Sequence, residues 1–554
     1  MAKRPRTPRI WGTLDPFLES GEAMGRTAAN ARFLCGLLAA DPFDAYHFFL
    51  PDRAAATAHA GLLAKEFPAL HRAGKFRVAE RLALPAALAE VPYHCFHLSD
   101  CISHPAHLAR LRNLHAPDIF PITGTTHSLS YARYPREFLG HLWPGCTARD
   151  CVVATSASAK QVVEGFYAGL RQEFGLDPAR FLAPRVERIP LGVDPAALTP
   201  ATPEERVALR RGLGLAESEA LVLVFARLSH DSKLDLLPVL RAFSRLFAAG
   251  VDPAAVRLGL AGWTVAGDSY LDTVLGLAAR LGVRCLAAPR PDEAAKARLF
   301  RAADIFLSPV DNVQETFGLT LLEAASAGLP AIAADWDGYR DLVVPGQTGL
   351  LVPTLGPACT AELDALAPLC FDNHAHLLLA QQTVVDVPAL AEALGRLLGD
   401  PAERERMGRA ARERVMREFS WATVVQQHLD LWEQLRAAPV HQEALRGQIH
   451  PLHLDYARVF AGHPTQALSL DLMLRRTRAG EALYRGQEHP VLYAPLEGRI
   501  VSEELRRLLL LVRAEISAGN LLRKVQDNLG LGAERAAALL LYALKHDFLE
   551  RVRA

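Results

Sequence analysis

Apolar residues along the chain fall into short runs of four to six, separated by stretches in which they recur every three or four positions. The runs read as buried strands and the spaced stretches as amphipathic helices. Over residues 10–199 the predicted strands are AYHFFL, FRVAE, YHCFHL, DIFPIT, CVVAT and RVERIP, with helices between several of them, notably at residues 24–39 and 157–171. Strands alternating with helices imply βα units and a parallel sheet. The segment LGVDPAALTPATPEE is rich in Pro and Thr and ends in a helix start, so it predicts a linker and a first domain over residues 1–198.

A second alternating series follows with LVLVFA, RLGLAG, VRCLAA, DIFLSP, PAIAAD and GLLVP, then helices at VPALAEALGRLL, PAERERMGRAARERVMREF and WATVVQQHLDLWEQL. The expected architecture is therefore α/β with two Rossmann-like, doubly wound domains facing a cleft, the second over residues 199–418. Residues 353–388 match no clear element and read as an insertion. Past residue 437 the βα rhythm is lost, and residues 441–554 read as a mostly helical extension, for instance LLRKVQDNLG and AERAAALLLYALKHDFL.

At 554 residues the chain exceeds what one core supports, in agreement with several domains. Half of it is apolar and 22% is charged, as in a globular protein. Lys plus Arg equal Asp plus Glu at 61 each, so no global field attracts nucleic acid or anionic lipid, and any anion site must be local. The start, MAKRPRTPRIWGTLD, lacks an apolar signal region, and no run approaches the roughly 18 to 20 apolar residues of a membrane span. A cytoplasmic protein is expected, with peripheral contact to a membrane surface left open. Eight cysteines without regular spacing fit reduced thiols.

The most informative stretch is DIFLSPVDNVQETFGLTLLEAASAGLPAIAADWDGYRDLV, residues 304–343. A strand ends, a polar loop follows, and Gly318 opens a helix whose first amides face that loop, a ready phosphate site. Glu315 lies in the loop and Glu323 inside the helix. Eight residues of helical rise are about 12 Å, roughly the span from hexose to ribose in a nucleotide sugar.

This stretch resembles the donor-binding signature of family 4 of the retaining glycosyltransferases, in which two glutamates eight positions apart bracket a Phe-Gly turn. The similarity extends over about residues 8–437. It implies the two-domain fold called GT-B, with residues 419–437 forming a helix that crosses back to the first domain. It also implies Glu315, Thr316, Phe317, Gly318, Leu319 and Glu323 as donor-binding residues, Glu315 on the sugar and Glu323 on the ribose. In FARLSHDSKLDLL, Arg227 and Lys233 stand where the family places cations on the diphosphate. Leu234 replaces the usual glycine and the Arg-to-Lys spacing is slightly long. Gly192, Val193 and Asp194 match an interdomain hinge marker. Gly21 to Arg26, with Gly25, correspond to a glycine-rich loop, and His127 in PITGTTHSLS to a histidine beside the donor sugar. The expected catalytic set is Glu315, His127, Arg227 and Lys233.

Two patterns compete. Asp335-Trp-Asp337 has the Asp-x-Asp form that holds a divalent metal in another glycosyltransferase fold. The run HCFHLSDCISHPAH brings His94, Cys95, His97, Cys101 and His104 together as zinc ligands could be. The first lies within a pattern that needs no metal and the second reads as a strand with its loop, so no metal and no cofactor are expected. The co-substrate would be a UDP- or GDP-sugar and the acceptor is not legible.

Two other functions stay in view. One is an inactive GT-B scaffold that binds through its C-terminal module, against which the intact set speaks. The other is a phosphorylase-like enzyme with pyridoxal phosphate, for which no suitable lysine stands out. The helices of residues 441–554 are joined by a short Gly turn, yet their basic residues are spread, so a surface for a protein partner or self-association is expected rather than nucleic-acid binding.

Overall fold

The computed structural model describes residues 8–19, 25–264, 267, 269–493, 496 and 498–552. The chain divides into two compact units, residues 1–452 and 453–554.

The first unit holds two parallel sheets. One contains β1 (Ile10–Thr13), β2 (Ala45–Leu50), β3 (Phe76–Glu80), β4 (Tyr93–Leu98), β5 (Ile122–Thr125), β6 (Asp150–Ala154) and β7 (Arg185–Arg188), in the order β3-β2-β1-β4-β5-β6-β7. The other contains β8 (Ala220–Phe225), β9 (Val256–Gly262), β10 (Cys285–Pro289), β11 (Ile305–Ser308), β12 (Ala331–Ala334) and β13 (Gly349–Val352), in the order β10-β9-β8-β11-β12-β13. Each order reverses once, between β1 and β4 and between β8 and β11. At such a reversal successive loops leave on opposite sides and open a crevice at the carboxyl ends of the strands.

The strands run close to the predicted apolar runs, with two differences. The central strand β1, IWGT, is missing from the prediction. It is four residues long and contains Gly12, where any Cβ would run into the Phe96 ring of β4. A strand so short carries no periodicity, and only its central position explains why Trp11 is completely buried. DIFPIT also begins too early: Asp118 is held outside the sheet by Arg149 and Arg436, and β5 starts after Pro121.

The chain returns to the first domain at its hinge. Val193 N–H donates to Phe419 O at 2.8 Å and Trp421 N–H to Val193 O at 3.2 Å. Gly192 is required there because a Cβ would lie 2.7 Å from the Trp421 ring. Ser420 then caps the helix Trp421–Ala437, which lies against the helix Gly25–Ala40 and sends Trp432 Nε1–H to Thr123 Oγ1 at 2.9 Å. The insertion is ordered into a two-stranded ribbon, Thr354–Leu355 with Val384–Val385, around the helices Ala361–Leu366 and Asp372–Ala380. It reaches the first domain through Asp372 Oδ1, which accepts from Ala132 N–H at 3.2 Å.

The second unit contains the helices Arg478–Tyr484, Ser502–Leu511, Ala518–Leu529 and Ala533–Lys545. It also holds a three-stranded antiparallel sheet, Ile516–Ser517, Met473–Arg476 and Leu549–Arg551, that the helical reading did not anticipate. Strands of two to four residues leave no pattern, and their pairing joins residues 73 to 77 positions apart on one side of Met473–Arg476 and 42 to 44 apart on the other. The core is Leu474, Leu505, Leu508, Leu521, Val525 and Leu540.

The unit begins at His453, twelve residues past the expected start at 441, because residues 442–452 pack on the first unit. Gln442 Nε2 donates to Ala116 O at 3.1 Å, and buried His450 places Nε2 2.7 Å from Gly140 O. A chain ended at Leu452 should therefore melt as the intact first unit does. One ended at Ala438 should lose about 1 to 3 kcal/mol with those contacts. Equal urea midpoints for the two truncations would contradict this.

Candidate functional site

The residues singled out after β8 and β11 come from neighbouring strands at the reversal, so loops 80 or so positions apart in sequence leave side by side. Asn312 stitches them together. Its Oδ1 accepts from Gln314 N–H at 2.9 Å, its carbonyl from Glu315 N–H at 3.2 Å, and its Nδ2 donates to Asp231 O at 3.1 Å. Buried Asp311 adds a second tie by accepting from Asp235 N–H, and burial pushes its carboxyl up to about 7. The two loops are thus tied to one another by hydrogen bonds.

Lys233 Nζ donates to Glu315 Oε2. The spacing that looked long is absorbed by a turn in which the amides of Lys233 and Leu234 both reach Ser229 O, at 3.1 and 3.2 Å. Leu234, standing where glycine is usual, turns into the core and is 1% exposed. Glu315 Oε1 accepts from the amides of Thr316 and Phe317, each at 3.1 Å. Burial raises the pKa of Glu315, but the charge and hydrogen bond of Lys233 together with those amides outweigh it and hold the carboxyl below its ordinary value. It is an anion at any physiological pH.

Gly318 has φ 105° and caps the helix Leu319–Ser326 with backbone alone. Any side chain would be strained there and would strike the Tyr339 ring. Phe317 is buried in the core of the second domain, so its backbone rather than its ring faces the loop. Tyr339, which sequence reasoning missed, places its hydroxyl 2.8 Å from Ser308 Oγ and 3.4 Å from Glu315 Oε2. Arg227 donates from Nη1 to Ser232 Oγ at 3.2 Å and lies 5.9 Å from the Trp263 ring centroid.

From the first domain, His127 follows β5. Its Nε2 is 2.8 Å from Ser99 O and 3.2 Å from Asn30 Oδ1. A carbonyl only accepts, so Nε2 carries the proton and Nδ1 is left as the acceptor. Burial lowers its pKa to about 4, which keeps the ring neutral at pH 7. The next residue, Ser128, donates from Oγ to Gln314 O at 3.0 Å, and Gln314 Nε2 donates to the Tyr131 hydroxyl at 2.8 Å. The His127 loop and the Glu315 loop therefore touch across the cleft. Gly25 opens the helix Gly25–Ala40, while residues 21–24 of the glycine-rich loop lie outside the described residues.

Glu323 lines an interdomain cavity of about 620 Å³ with Arg32, Lys296, Asp194 and Trp421. Its Oε1 accepts from Lys296 Nζ at 2.8 Å and from Arg32 Nη1 at 3.1 Å. No spacing rule pairs Glu323 with a residue 291 positions earlier.

Asp335 and Asp337 have separate partners. Asp335 Oδ1 accepts from Arg340 Nε at 2.6 Å, and Asp337 Oδ1 lies 3.4 Å from Ser156 Oγ. Burial, then the nearby charge of Glu315, pushes Asp337 up to about 7. Of the histidine and cysteine run, His94 lies beside Arg9 while the His97 ring sits on Thr123 Oγ1 at 2.8 Å. Among the described residues, no three His, Cys, Asp or Glu side chains are grouped to hold a metal ion. Among them, too, no helix is long and apolar enough to cross a membrane.

Residues 205–358 match the family model described as Glycosyl transferases group 1, and residues 356–430 one described as Glycosyl transferase-like. A D-inositol 3-phosphate glycosyltransferase of Nocardia farcinica is 30% identical over 290 residues, 51% of this chain and 53% of that protein. An alpha-maltose-1-phosphate synthase of Mycolicibacterium smegmatis is 27% identical over 320 residues, 56% of this chain and 73% of that protein. The chain spans about half the length of the first of these relatives. A glycosyltransferase crystal structure from Rickettsia africae covers 78% of this chain and 100% of its own, with TM-score 0.50 and 16% identity, a likeness of fold. Both Rossmann-like domains share their fold with that glycosyltransferase, and the stretch that matches the group 1 glycosyl transferases runs through Arg227, Lys233, Glu315 and Glu323.

Proposed function

We propose that the chain transfers a hexose-type sugar, with retention of configuration and without a metal, from a nucleotide diphosphate to an acceptor held by the first domain. The observation that carries this reading is the pairing of Lys233 with Glu315 at the start of the helix Leu319–Ser326, between the ends of β8 and β11.

The parts divide the work by charge. Arg227, Lys233 and the first amides of the helix stabilise negative charge that grows on the leaving diphosphate, about 3 to 4 kcal/mol for a strong preorganised donor. They would act where a metal acts elsewhere, which is why transfer is expected to survive EDTA. Glu315 accepts from sugar hydroxyls and His127 offers Nδ1 to another. Glu323 takes the ribose. Retention rests on the family likeness. The second unit would offer its surface to a protein partner, a second copy or a macromolecular acceptor, so the chain ended at Leu452 should bind donor normally and transfer poorly to its natural acceptor.

The test is calorimetry with UDP, GDP, ADP and TDP and their sugars, with and without EDTA, on wild type and Glu323→Ala. One nucleotide should bind, EDTA should not matter, and the variant should lose about 1.5 to 3 kcal/mol of affinity. Transfer assays should include inositol phosphate, because relatives carry that acceptor in their names. Equal affinity in wild type and Glu323→Ala would remove the ribose role. Binding that requires manganese would remove the metal-free one.

A further inference from the structure

The charged contacts of Glu323 come from both domains, and nothing in the donor reading above calls for this. Lys296 stands on the helix Glu293–Ala302 of the second domain, and Arg32 on the helix Gly25–Ala40 of the first. Both cations take the same oxygen, Oε1, at 2.8 and 3.1 Å. The Glu323 side chain is 11% exposed and Lys296 13%, while Arg32, at 36%, reaches in from the cavity side.

A carboxylate offers about four acceptor positions over its two oxygens. Two cations on one oxygen fix the carboxylate plane and neutralise its charge without occupying the other oxygen. Oε2 is then the atom left for hydroxyl donors entering the cavity. A vicinal diol can donate two hydrogen bonds to a carboxylate held in this way, and a 2′-deoxyribose only one.

We propose that Arg32 is a positioning residue for the ribose of the donor: it orients Glu323 from across the cleft, so that the first domain sets nucleotide affinity and the preference for ribose over deoxyribose. This rests on the donor reading given above. It differs from the assignment of Glu323 itself, because Arg32 lies far outside the matched residues 205–358. Lys296 supplies the second cation from the same domain as Glu323. Arg32 ties the carboxylate to the position of the other domain, so ribose engagement and interdomain position become linked.

The experiment is calorimetry of the full chain with UDP and GDP and with their 2′-deoxy forms. Wild type should favour the ribonucleotide by about tenfold, the worth of one lost hydrogen bond to a charged group. Arg32→Ala should weaken the ribonucleotide about tenfold and shrink the preference to about twofold, with Arg32→Lys intermediate. In a Glu323→Ala background, Arg32→Ala should change affinity by less than about twofold, since the two act as one unit.

An unchanged ribose preference in Arg32→Ala would overturn the proposal. So would equal losses on both sugars, or tighter binding, which would make Arg32 a competitor for Glu323. Wild type that binds neither nucleotide would instead strike the donor reading, and the inference with it. Circular dichroism and melting of each variant separate these results from misfolding.

Discussion

Replacing Glu315 by glutamine should lower turnover by about a hundredfold, the order expected when a reacting sugar is misplaced by an ångström or so. Nucleoside diphosphate affinity should hold or improve. The reason lies in the pair itself: in the free protein Lys233 is engaged by Glu315 Oε2, and loss of that anion leaves the ammonium available to the diphosphate. Glutamine keeps an oxygen for the Thr316 and Phe317 amides, which alanine does not, so Glu315→Ala should be both inactive and less stable. Removing one member of a largely buried ion pair costs up to about 3 to 5 kcal/mol. Steady-state kinetics with the donor varied, beside calorimetry with the diphosphate, decides the matter. A kcat within twofold of wild type would end the catalytic assignment of Glu315, and a large loss of diphosphate affinity with kcat intact would make it a binding residue.

Acidification should unfold the first unit well before its carboxylates titrate in bulk. His97, His127, His141 and His428 are buried, and burial lowers His127, His141 and His428 to about 4 and His97 well below its ordinary value. His47, His59 and His94 are likewise lowered to about 4 by burial. In the unfolded chain they titrate near about 6.5. Between about pH 6.5 and 4 the unfolded state therefore binds more protons than the folded one, and stability falls as pH falls, by about 1.4 kcal/mol per pH unit for each proton.

Asp311 and Asp337, raised to about 7, and Asp15, raised mainly by burial, act in the opposite direction. Their folded pKa values exceed the unfolded ones, so they favour folding as pH drops through 7. The lowered histidines outnumber the three raised carboxylates, so the net is a loss of stability between pH 7 and 5. Urea midpoints at pH 7, 6 and 5 measure it. His59, whose two ring nitrogens are buried without a partner against Phe48, supplies a local check. His59→Phe should flatten the slope by about one proton. A midpoint that does not move between pH 7 and 5 would contradict the whole account.

The order of strands and helices was legible in the chain because burial imposes periodicity locally. Runs such as LVLVFA and DIFLSP lie buried between helices and must be mostly apolar, and a helix such as WATVVQQHLDLWEQL must be apolar on the face that meets another helix. The loop-to-helix segment around Gly318 was legible for a similar reason. Its chemistry needs a loop carboxylate, a residue free to take positive φ and a helix start in sequence, all within about a dozen positions.

What the sequence left undecided are the features whose cause lies far along the chain. IWGT becomes a central strand only because two neighbouring strands enclose it, and Gly12 is glycine because of Phe96. The short strands of the last unit exist through their pairing, not their propensity. The boundary at His453 was set by contacts of Gln442 and His450 with residues some 310 to 326 positions earlier. Tyr339 reaches Glu315 because β12 lies beside β11, and Arg32 reaches Glu323 because the two domains face each other. Local pattern reports which residues must be buried or must turn. Which charged groups come to share one carboxylate depends on how whole domains pack, and that was decided by the tertiary structure.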